Sequence, residues 1–495
     1  MRTQVTVAGA GPTGLALAAG LSARGVSVRV VDAAEGPATT SRALGLQPRG
    51  AEVLGRLGAL GGLAARAVGA KRLTVKEGGR TVFRLDFTRA EAAHRILFVS
   101  QTEVEAALRE RLTGLGGTVE WGTGVTGAEQ DGDGVKVTVA TADGTGTFGT
   151  DWLVGCDGAH SAVRDLAGIG FPGTRIVENL LLADLRADWT FDREGSTTWL
   201  GASGALIVMP LPDGAWRVIT EPAHDVAAVT ATEIAAAVRA DLAARTGADG
   251  EPEVLWTSRF RVHRRLADTY RSGRVFLAGD AAHVHSPIGA QGMNTGLADA
   301  ENLAWKLAAV IGGSASPSLL HTYEAERRPL AEAVLANTST VTSLLLAPTR
   351  ARRLLRDLLI RPLLRLPAVQ KGLWRLTSQL GQHYRGSVLA AGGGPRRGPR
   401  PGDRAPNLTC RRQDGAATVL HAALDGRWAV VAPEGAADYT DAVAGVVGSD
   451  DVLTLAHDGR EVLLVRPDGH LAWRRDPSDG GPAALAGWLR AALGR

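Results

Sequence analysis

The chain has 495 residues, more than one ordinary domain of about 150 residues needs, so we expect two to four domains. Hydrophobic residues make up 45% of it and charged residues 21%, which supports ordinary globular cores. The formal net charge is only +4, and the arginines are dispersed among acidic residues, which excludes the basic stripe of a nucleic-acid-binding protein.

Cysteine usage and apolar runs indicate the cellular compartment of the protein. Cys156 and Cys410 form neither a CxxC pair nor a disulfide framework, which fits a reducing compartment and offers no nucleophile. No uninterrupted apolar run approaches the ~18 residues of a membrane span. The apolar stretch after Arg2 is interrupted by Gly9 to Gly14, which argues against a secretory signal. We expect a soluble cytoplasmic protein.

The first informative segment is VTVAGAGPTG at 5–14. Val5 to Val7 predicts a short buried strand, and Leu15 to Leu21 carries apolar residues at helical spacing. The turn between them contains Gly9, Gly11, Pro12, Thr13 and Gly14. A Gly-x-Gly-x-x-Gly run alone is a weak signal, but here it stands between a strand and a helix.

Each glycine of this turn has a separate physical role in a dinucleotide-binding βαβ unit. Gly9 allows the tight turn, Gly11 lets the backbone approach a pyrophosphate, and Gly14 permits close packing of helix on strand. The helix N-terminus then faces the anion. A second strand, predicted at 26–31, ends in Asp32, 18 positions after Gly14. Its carboxylate is placed to accept hydrogen bonds from an adenosine ribose, which we prefer to a solvated turn residue.

The second segment, LVGCDGAHSAVR at 153–164, follows a strand predicted at 152–154. Asp157 and Gly158 form a tight turn near the phosphate-binding loop. The Asp157 carboxylate can fix backbone amides there or bind ribose hydroxyls. An Asp-Gly turn alone carries no functional information.

The third segment, GRVFLAGDAAHVHSPIGAQGMNTG at 273–296, is the most specific. Arg274 to Ala278 predicts a buried strand, and Asp280 at its end can accept from the ribityl hydroxyls of a flavin. A glycine-rich loop then leads into a helix that starts near Met293. Amides at such a helix N-terminus favour the negative charge that a flavin ring gains on reduction. The candidates in this loop are Pro287, Gly289, Gln291, Gly292, Met293 and Asn294.

Two histidines and one basic region have competing interpretations. His283 and His285, with only Asp280 beside them, make a poor metal site, so we expect no metal. Acid–base roles for them stay open, against hydrogen bonding to local backbone. One interpretation of the Arg- and Leu-rich stretch at 350–375 is a basic amphipathic helix that binds a membrane surface or a partner. We prefer a helical connector whose leucine face packs on the protein.

Together the three segments resemble the single-component FAD-dependent aromatic hydroxylases of the para-hydroxybenzoate and phenol hydroxylase type. The chain looks closest to the aromatic polyketide and rifampicin monooxygenases. Further segments that carry the resemblance are SRALG at 41–45, VSQTEVEAAL at 99–108, TYEAERRP at 322–329 and LLVRPDGHLAWR at 463–474. Two positions depart from the family pattern: Asp32-Ala33 replaces Glu and a basic residue, and Ala290 replaces a commoner glycine.

The resemblance implies roles for individual residues. Arg42 is expected to lie along the FAD, and Gln101 is expected to contact it. Val125 is a further cofactor-binding candidate. Pro287 and Gly289 are expected to act in catalysis through their backbones. No general base is identified.

The resemblance also implies the fold class, which is α/β. We expect a discontinuous Rossmann-like FAD domain, an antiparallel-sheet substrate domain and a C-terminal thioredoxin-like domain without CxxC. The expected boundaries are 1–75, 99–175 and 270–345 for the FAD domain, 76–98 and 176–269 for the substrate domain, 346–390 for a helical connector, 391–399 for a linker and 400–495 for the last domain.

The function implied is an FAD monooxygenase that uses NADH or NADPH as a transient electron donor. O₂ would add to the reduced ring as a C4a-hydroperoxide, whose terminal oxygen goes to an aromatic, polyketide-like small molecule. The expected partners are this substrate, O₂ and NAD(P)H, with a homodimer left open. Baeyer–Villiger or epoxidising oxygenation, a non-oxygenating flavoprotein reductase, and a catalytically dead binding protein are the alternatives.

Overall fold

The structure, a computed structural model, describes residues 3–41, 43–87, 95–201, 204–221, 230–284, 291–346, 361–363, 366–391 and 398–495. The helices of these residues are α1 (Pro12–Ser22), α2 (Pro48–Arg56), α3 (Gly61–Arg66), α4 (Gln101–Gly114), α5 (Ala162–Leu166), α6 (Ala231–Thr246), α7 (Gly292–Ile311), α8 (His321–Leu346), α9 (Arg361–Leu363), α10 (Pro367–Thr377), α11 (Leu420–Ala423), α12 (Ala437–Val447) and α13 (Pro482–Ala492).

The strands up to the middle of the chain are β1 (Thr3–Ala8), β2 (Val28–Val31), β3 (Gly45–Leu46), β4 (Val68–Ala70), β5 (Arg72–Glu77), β6 (Arg80–Asp86), β7 (Ile96–Phe98), β8 (Val119–Glu120), β9 (Gly124–Gln130), β10 (Val135–Thr141), β11 (Gly144–Gly155) and β12 (Gly173–Arg186). The later strands are β13 (Gly195–Gly201), β14 (Gly204–Pro210), β15 (Trp216–Thr220), β16 (Glu253–Leu266), β17 (Arg271–Ser272), β18 (Val275–Leu277), β19 (His283–Val284), β20 (Thr409–Arg411), β21 (Ala417–Val419), β22 (Trp428–Ala432), β23 (Val452–Ala456), β24 (Val462–Val465) and β25 (Leu471–Arg475).

The first sheet is a parallel sheet built from distant parts of the chain. Its central order is β18, β11, β1, β2 and β8, and neighbouring strands in this order run parallel. Helix α1 begins at Pro12, where the missing amide hydrogen costs nothing, and it buries Leu15, Leu17 and Leu21 completely. It packs against α7 and α4. Because the strands are parallel, the carboxyl ends of β1, β11 and β18 meet at one edge.

The second sheet is antiparallel apart from one strand pair. Its order is β19, β16, β12, β15, β14, β13, β5 and β6, and only β13 with β5 is parallel among its described pairs. Helix α6 covers one face, where Leu181, Trp216 and Val238 share a core. Strand periodicity at 204–210 and 216–220, on either side of the turn Pro212-Asp213-Gly214, predicts two strands of an antiparallel sheet, and these are confirmed as β14 and β15.

The third sheet forms the C-terminal domain. Its order is β21, β20, β23, β22, β24 and β25, with β22 and β23 parallel and joined through α12. Strands β24 and β25 add antiparallel, and α13 follows them. Separate apolar clusters cover its two faces. Cys410 is buried without a disulfide, and burial raises its pKa to about 11, which keeps the thiol neutral.

The fold class predicted from the sequence is confirmed. The first sheet draws strands from 3–31, 119–155 and 271–277, so the Rossmann-like domain is discontinuous. Small differences in bounds concern two strands, since β2 begins at Val28 and β18 ends at Leu277. The domain boundaries themselves stay predictions.

Part of the predicted connector at 346–390 falls on described residues. Helix α10 lies there, and Leu373 and Trp374 pack against an apolar cluster that includes Phe87. Gln370 Nε2 donates to the carbonyl oxygen of Arg84 at 3.1 Å. This helix therefore lies against the protein, as the connector interpretation requires. Residues 350–360 and 364–365 of the predicted basic stretch are outside the described part of the chain.

A buried ionic network joins the C-terminal domain to α7 and α8. Arg466 Nη1 and Nη2 donate to the two carboxylate oxygens of Glu326 at 2.7 and 2.8 Å, and Lys306 Nζ donates to Glu326 Oε2 at 2.7 Å. Arg466 Nη2 also donates to Asp468 Oδ2 at 2.6 Å. Burial alone would raise the pKa of Glu326, but Arg466 and Lys306 outweigh it and hold that pKa well below its usual range.

Two further observations concern membrane-spanning helices and metal-binding groups. None of the helices formed by the described residues has the length and apolar character needed to cross a membrane. The same residues contain no group of three or more His, Cys, Asp or Glu side chains placed to hold a metal ion.

Replacement of Glu326 by Gln should strongly destabilise the protein. It leaves the buried charges of Arg466 and Lys306 without their carboxylate, at a cost of about 3–5 kcal/mol. The matched control is Glu253→Gln, which breaks the exposed pair with Arg186 and should cost less than ~1 kcal/mol. Urea unfolding followed by circular dichroism measures both, and equal small losses would contradict a stabilising role for the network.

Candidate active site

The turn between β1 and α1 is shaped by close contacts of its backbone. Gly9 has φ +104°, and a Cβ atom there would lie 2.3 Å from the carbonyl oxygen of Cys156, so only glycine fits. Gly14 packs so tightly that a Cβ would lie 1.9 Å from the Gly9 carbonyl oxygen. Because of these contacts, the backbone of the first segment lies directly against that of the second segment.

Gly11 has the opposite environment. It is the N-cap of α1, and a Cβ built there would meet no described atom within 4 Å. No described side chain caps the helix, so its first amides point into open space beside Pro12 and Thr13. A helix N-terminus with free amides and an open approach fits a pyrophosphate.

Asp32 lies at the end of β2, beside this turn. Its carboxylate accepts from the amides of Ala10 at 2.6 Å and Ala34 at 2.8 Å, which fixes its position. The side chain is half-buried, and each oxygen retains a further lone pair for a ribose hydroxyl. Val125 is half-buried at the start of β9. It follows Gly124, where an added Cβ atom would lie 3.3 Å from the Cβ of Ala33. Val125 therefore lies at the same end of the site as Asp32.

Gln101 is the first residue of α4 and contacts the chain on both sides of Arg42. Its amide donates to Ser41 Oγ at 2.8 Å and to the Ala43 carbonyl oxygen at 3.2 Å. Its side-chain amide donates to Glu105 Oε1 at 2.8 Å. Arg42 is outside the described residues. The start of α4, where Gln101 is located, therefore lies beside Ser41 and Ala43.

Asp157 makes its hydrogen bonds within its own turn. Its carboxylate accepts from Ser161 Oγ and from the amide of Val163, the latter at 3.1 Å, which fastens the start of α5. Burial raises the pKa of this carboxyl, against the effect of these hydrogen bonds. Of the two roles predicted for Asp157, the structure thus shows the fixing of backbone amides. Gly158 follows it in the turn with φ +82°.

The third segment contacts the first through Thr13. Gly279 has φ +62°, and a Cβ there would lie 2.5 Å from Thr13 Oγ1. The Asp280 side chain is exposed between the buried residues Gly279 and Ala281, with no hydrogen bond to the described part of the chain. Although the side chain is solvent-accessible, the protein atoms packed around it partly desolvate the carboxyl and raise its pKa; His283 opposes this and Asp299 adds to it. Its acceptor oxygens are therefore available to a ligand.

Helix α7 begins at Gly292, one residue before the predicted start. Gln291 is its buried N-cap, and Met293 is half-buried. The Asn294 side chain accepts from the amide of Gln47 at 2.8 Å and donates to the Gly45 carbonyl oxygen at 2.9 Å. That side chain is thus occupied by strand β3, which leaves only the backbone of Asn294 for a cofactor. Pro287 and Gly289 lie outside the described residues.

His283 has a partner that the sequence did not indicate. It is buried, and its Nε2 lies 2.6 Å from Asp299 Oδ2 in α7. The structure shows a buried carboxylate contact in place of the expected hydrogen bond to local backbone, and the acid–base role stays a prediction. His285 is outside the described residues. Asp299 was missed because one acidic residue on a helix has many possible environments.

The second sheet presents an apolar face away from α6. Ile207, Ile219 and Leu182 face each other across three neighbouring strands. In the next row Arg217 forms a buried ion pair with Asp184 at 2.8 Å. Arg217 Nη1 also donates to the Ala43 carbonyl oxygen at 3.4 Å. This face therefore lies toward Ala43.

Comparisons with known proteins identify the family of the chain. A model of an FAD binding domain matches residues 2–338, and a model of the C-terminal domain of aromatic-ring hydroxylases matches residues 398–495. The chain is 37% identical to 6-methylpretetramide 4-monooxygenase of Streptomyces rimosus, over 95% of this chain and 90% of that protein. It is 35% identical to rifampicin monooxygenase of Streptomyces venezuelae, over 99% of each.

Solved structures give the same result. The anhydrotetracycline hydroxylase OxyS from Streptomyces rimosus matches with a TM-score of 0.82 and 35% identity, over 100% of both chains. Aklavinone-11 hydroxylase, solved as a ternary complex with FAD and aklavinone, matches with a TM-score of 0.82 and 27% identity, over 100% of this chain and 99% of that one. The chain therefore belongs to the FAD-dependent aromatic-ring hydroxylases, a family of flavin monooxygenases.

Proposed function

We propose that the protein hydroxylates an aromatic, polyketide-like small molecule, with O₂ as oxygen source and NADH or NADPH as electron donor. The observation that carries this proposal is the meeting of three segments, each suited to a different part of FAD, at one edge of the first sheet. The names of similar proteins support the substrate class, since they refer to tetracycline precursors, rifampicin and aklavinone. The oxygen-transfer intermediate that the family resemblance implies stays a prediction.

The first and second segments would hold the adenosine and pyrophosphate half of FAD. The start of α1 would bind the pyrophosphate through the backbone amides of Gly11, Thr13 and Gly14, while Gly9 and Pro12 would shape the turn. Asp32 would accept from the ribose, with Val125 beside the adenosine. Asp157 and Gly158 would act by shaping the turn that Gly9 contacts.

The third segment would hold the flavin half. Asp280 would accept from the ribityl hydroxyls, and Arg42 and Gln101 would lie beside the cofactor. The backbone from Gln291 to Asn294 would approach the ring, and roles for Pro287 and Gly289 remain proposals. Bound FAD would supply the redox chemistry that no side chain can provide.

The chain contributes charge stabilisation at this end of the site. The amides at the start of α7 carry the partial positive charge of a helix N-terminus. No described side chain caps them, so their charge acts on whatever lies in front of the helix. Because these dipoles are fixed before the reaction, they favour a negatively charged reduced ring without reorganisation.

The apolar face of the second sheet would orient the substrate. Ile207, Met209 and Ile219 are half-buried on that face, and Leu182 lies beside them. Flat polycyclic aromatics bind well to apolar surfaces, because their burial removes a large area from water. The Asp184–Arg217 pair at the end of this row would contribute a polar contact for a substrate oxygen.

Replacement of Gly11 by Val should abolish FAD binding without loss of thermal stability in the cofactor-free protein. The Cβ of the new side chain would meet no described atom within 4 Å, and the side chain would occupy the space needed by the pyrophosphate. Fluorescence titration of the apoprotein with FAD measures the effect. The control is Gly61→Val, also at a helix start with open surroundings. Normal FAD binding by the Gly11 variant would remove the pyrophosphate assignment.

Replacement of Asp280 by Ala should weaken FAD binding by about 1–3 kcal/mol, since hydroxyl groups buried with the cofactor lose their acceptor. Asp280→Asn keeps one acceptor oxygen and should lose less. The same titration compares both with the unmodified protein. If Asp280→Ala binds FAD as tightly as the unmodified protein, the residue has a structural role only.

The oxygenase proposal predicts incorporation of one atom of ¹⁸O from ¹⁸O₂ into the product. Purified protein with FAD is mixed with NAD(P)H, ¹⁸O₂ and a panel of polycyclic phenols, and product mass is measured. Insertion beside a ketone would indicate a Baeyer–Villiger reaction, and addition across an alkene an epoxidation. Oxidation of NAD(P)H to H₂O₂ alone, with no oxygenated product across the panel, would favour the reductase alternative.

A further inference from the structure

Two sequence segments that carried the family resemblance have no role in the site described so far. They are TYEAERRP at 322–329 and LLVRPDGHLAWR at 463–474. In the structure both contribute to the buried ionic network, through Glu326 and Arg327 in the first and Arg466, Asp468 and His470 in the second. The question is what this network holds in place.

One end of the network reaches the turn that carries Asp280. Asp299 is completely buried in α7, and its Oδ2 accepts from the Gly279 amide at 3.1 Å. The same oxygen lies 2.6 Å from His283 Nε2. One carboxylate thus contacts Gly279, which precedes Asp280, and His283, which follows it three residues later. Asp299 fixes this turn although it does not point into the site itself.

Arg327 holds Asp299 from the other side. Its Nε donates to Asp299 Oδ1 at 2.7 Å, and its Nη2 donates to the Thr295 carbonyl oxygen at 3.2 Å in the first turns of α7. Burial alone would raise the pKa of Asp299, but Arg327 and His283 outweigh it and lower that pKa. The Asp299–Arg327 pair therefore ties the Gly279 turn to the start of α7.

Tyr384 continues this line to the C-terminal domain. Arg327 Nη1 donates to Tyr384 Oη at 3.1 Å. The Tyr384 ring packs on His470, with ring centroids 4.1 Å apart, and the Arg466 guanidinium lies 4.9 Å from its centroid. A continuous series of buried contacts thus leads from Arg466 through Tyr384 and Arg327 to Asp299.

We propose that Asp299 is a positioning residue of the flavin site and that the C-terminal domain supports it through Tyr384 and Arg327. Asp299 holds the Gly279 turn so that Asp280 and the α7 N-terminus face one cofactor. This inference rests on the proposed cofactor site. It adds to that site the claim that a buried ion pair behind it, anchored in another domain, sets its geometry.

The test compares two isosteric neutralisations on the same helix. Asp299→Asn removes the charge that contacts the Gly279 turn, whereas Glu301→Gln removes a buried charge that pairs with Arg49 and Arg56, away from the turn. We expect both variants to lose thermal stability. FAD affinity of the apoprotein should fall ~10-fold or more in Asp299→Asn and less than ~3-fold in Glu301→Gln, with a changed visible spectrum of bound flavin only in the former.

A gentler pair of variants tests the contribution of the C-terminal side. Tyr384→Phe removes only the hydroxyl that accepts from Arg327, and Tyr439→Phe removes a hydroxyl that donates to the Gly480 carbonyl oxygen within the C-terminal domain. We expect FAD affinity to fall ~3-fold or more in Tyr384→Phe and to stay unchanged in Tyr439→Phe. This comparison remains informative if Asp299→Asn does not fold.

Each outcome has one meaning. Equal losses of FAD affinity in Asp299→Asn and Glu301→Gln, or unchanged affinity in Tyr384→Phe, would overturn the positioning role. Failure of the cofactor site itself would show differently, as unchanged FAD binding in the Gly11→Val and Asp280→Ala variants. The selective losses described above would support the proposal.

Discussion

The site depends on contacts that leave no room for a side chain between three turns of the chain. Gly9 contacts the Cys156 carbonyl oxygen, and Gly279 contacts Thr13, so the β1, β11 and β18 turns touch directly. Parallel strand order brings their carboxyl ends to one edge, and these contacts bring the turns together there. Within these turns a Cβ at Gly11 would meet no described atom within 4 Å, and the Asp280 side chain is exposed, so both positions are open to a ligand.

Helix α7 connects this edge to the rest of the molecule through three different surfaces. Its N-terminus faces the proposed flavin position, and its apolar residues, such as Leu297 and Leu303, pack in the core of the first sheet. Its polar residues Asn302 and Lys306 enter the buried network with the C-terminal domain. Buried ion pairs contribute little net stability but are costly to break, so they favour one arrangement over others. We infer that α7 has little freedom to shift relative to either domain.

The sequence predicted features that depend on neighbours along the chain. The glycine turn after β1, Asp32 at the end of β2 and the β14–β15 hairpin are local patterns, and the structure contains them as expected. The family resemblance added the discontinuous domain and the C-terminal fold. These features could be predicted because strand, turn and helix signals act over a few residues.

Long-range partners could not be predicted in this way. Periodicity shows which face of a helix is buried, but not that Asp299 meets Arg327 and His283, or that Asn294 binds strand β3. Asp157 shows a related limit, because one residue type fits both a ligand contact and a turn contact. Such choices are decided by packing between segments up to hundreds of residues apart.

The most direct test of the central claim is a crystal structure of the protein with FAD. If three segments form one site, cofactor atoms should lie within about 3.2 Å of the backbone amides of Gly11 and Thr13, of the Asp32 carboxylate and of the Asp280 carboxylate. A single FAD should make all three contacts. A cofactor that contacts the first segment but leaves Asp280 facing solvent would contradict the account.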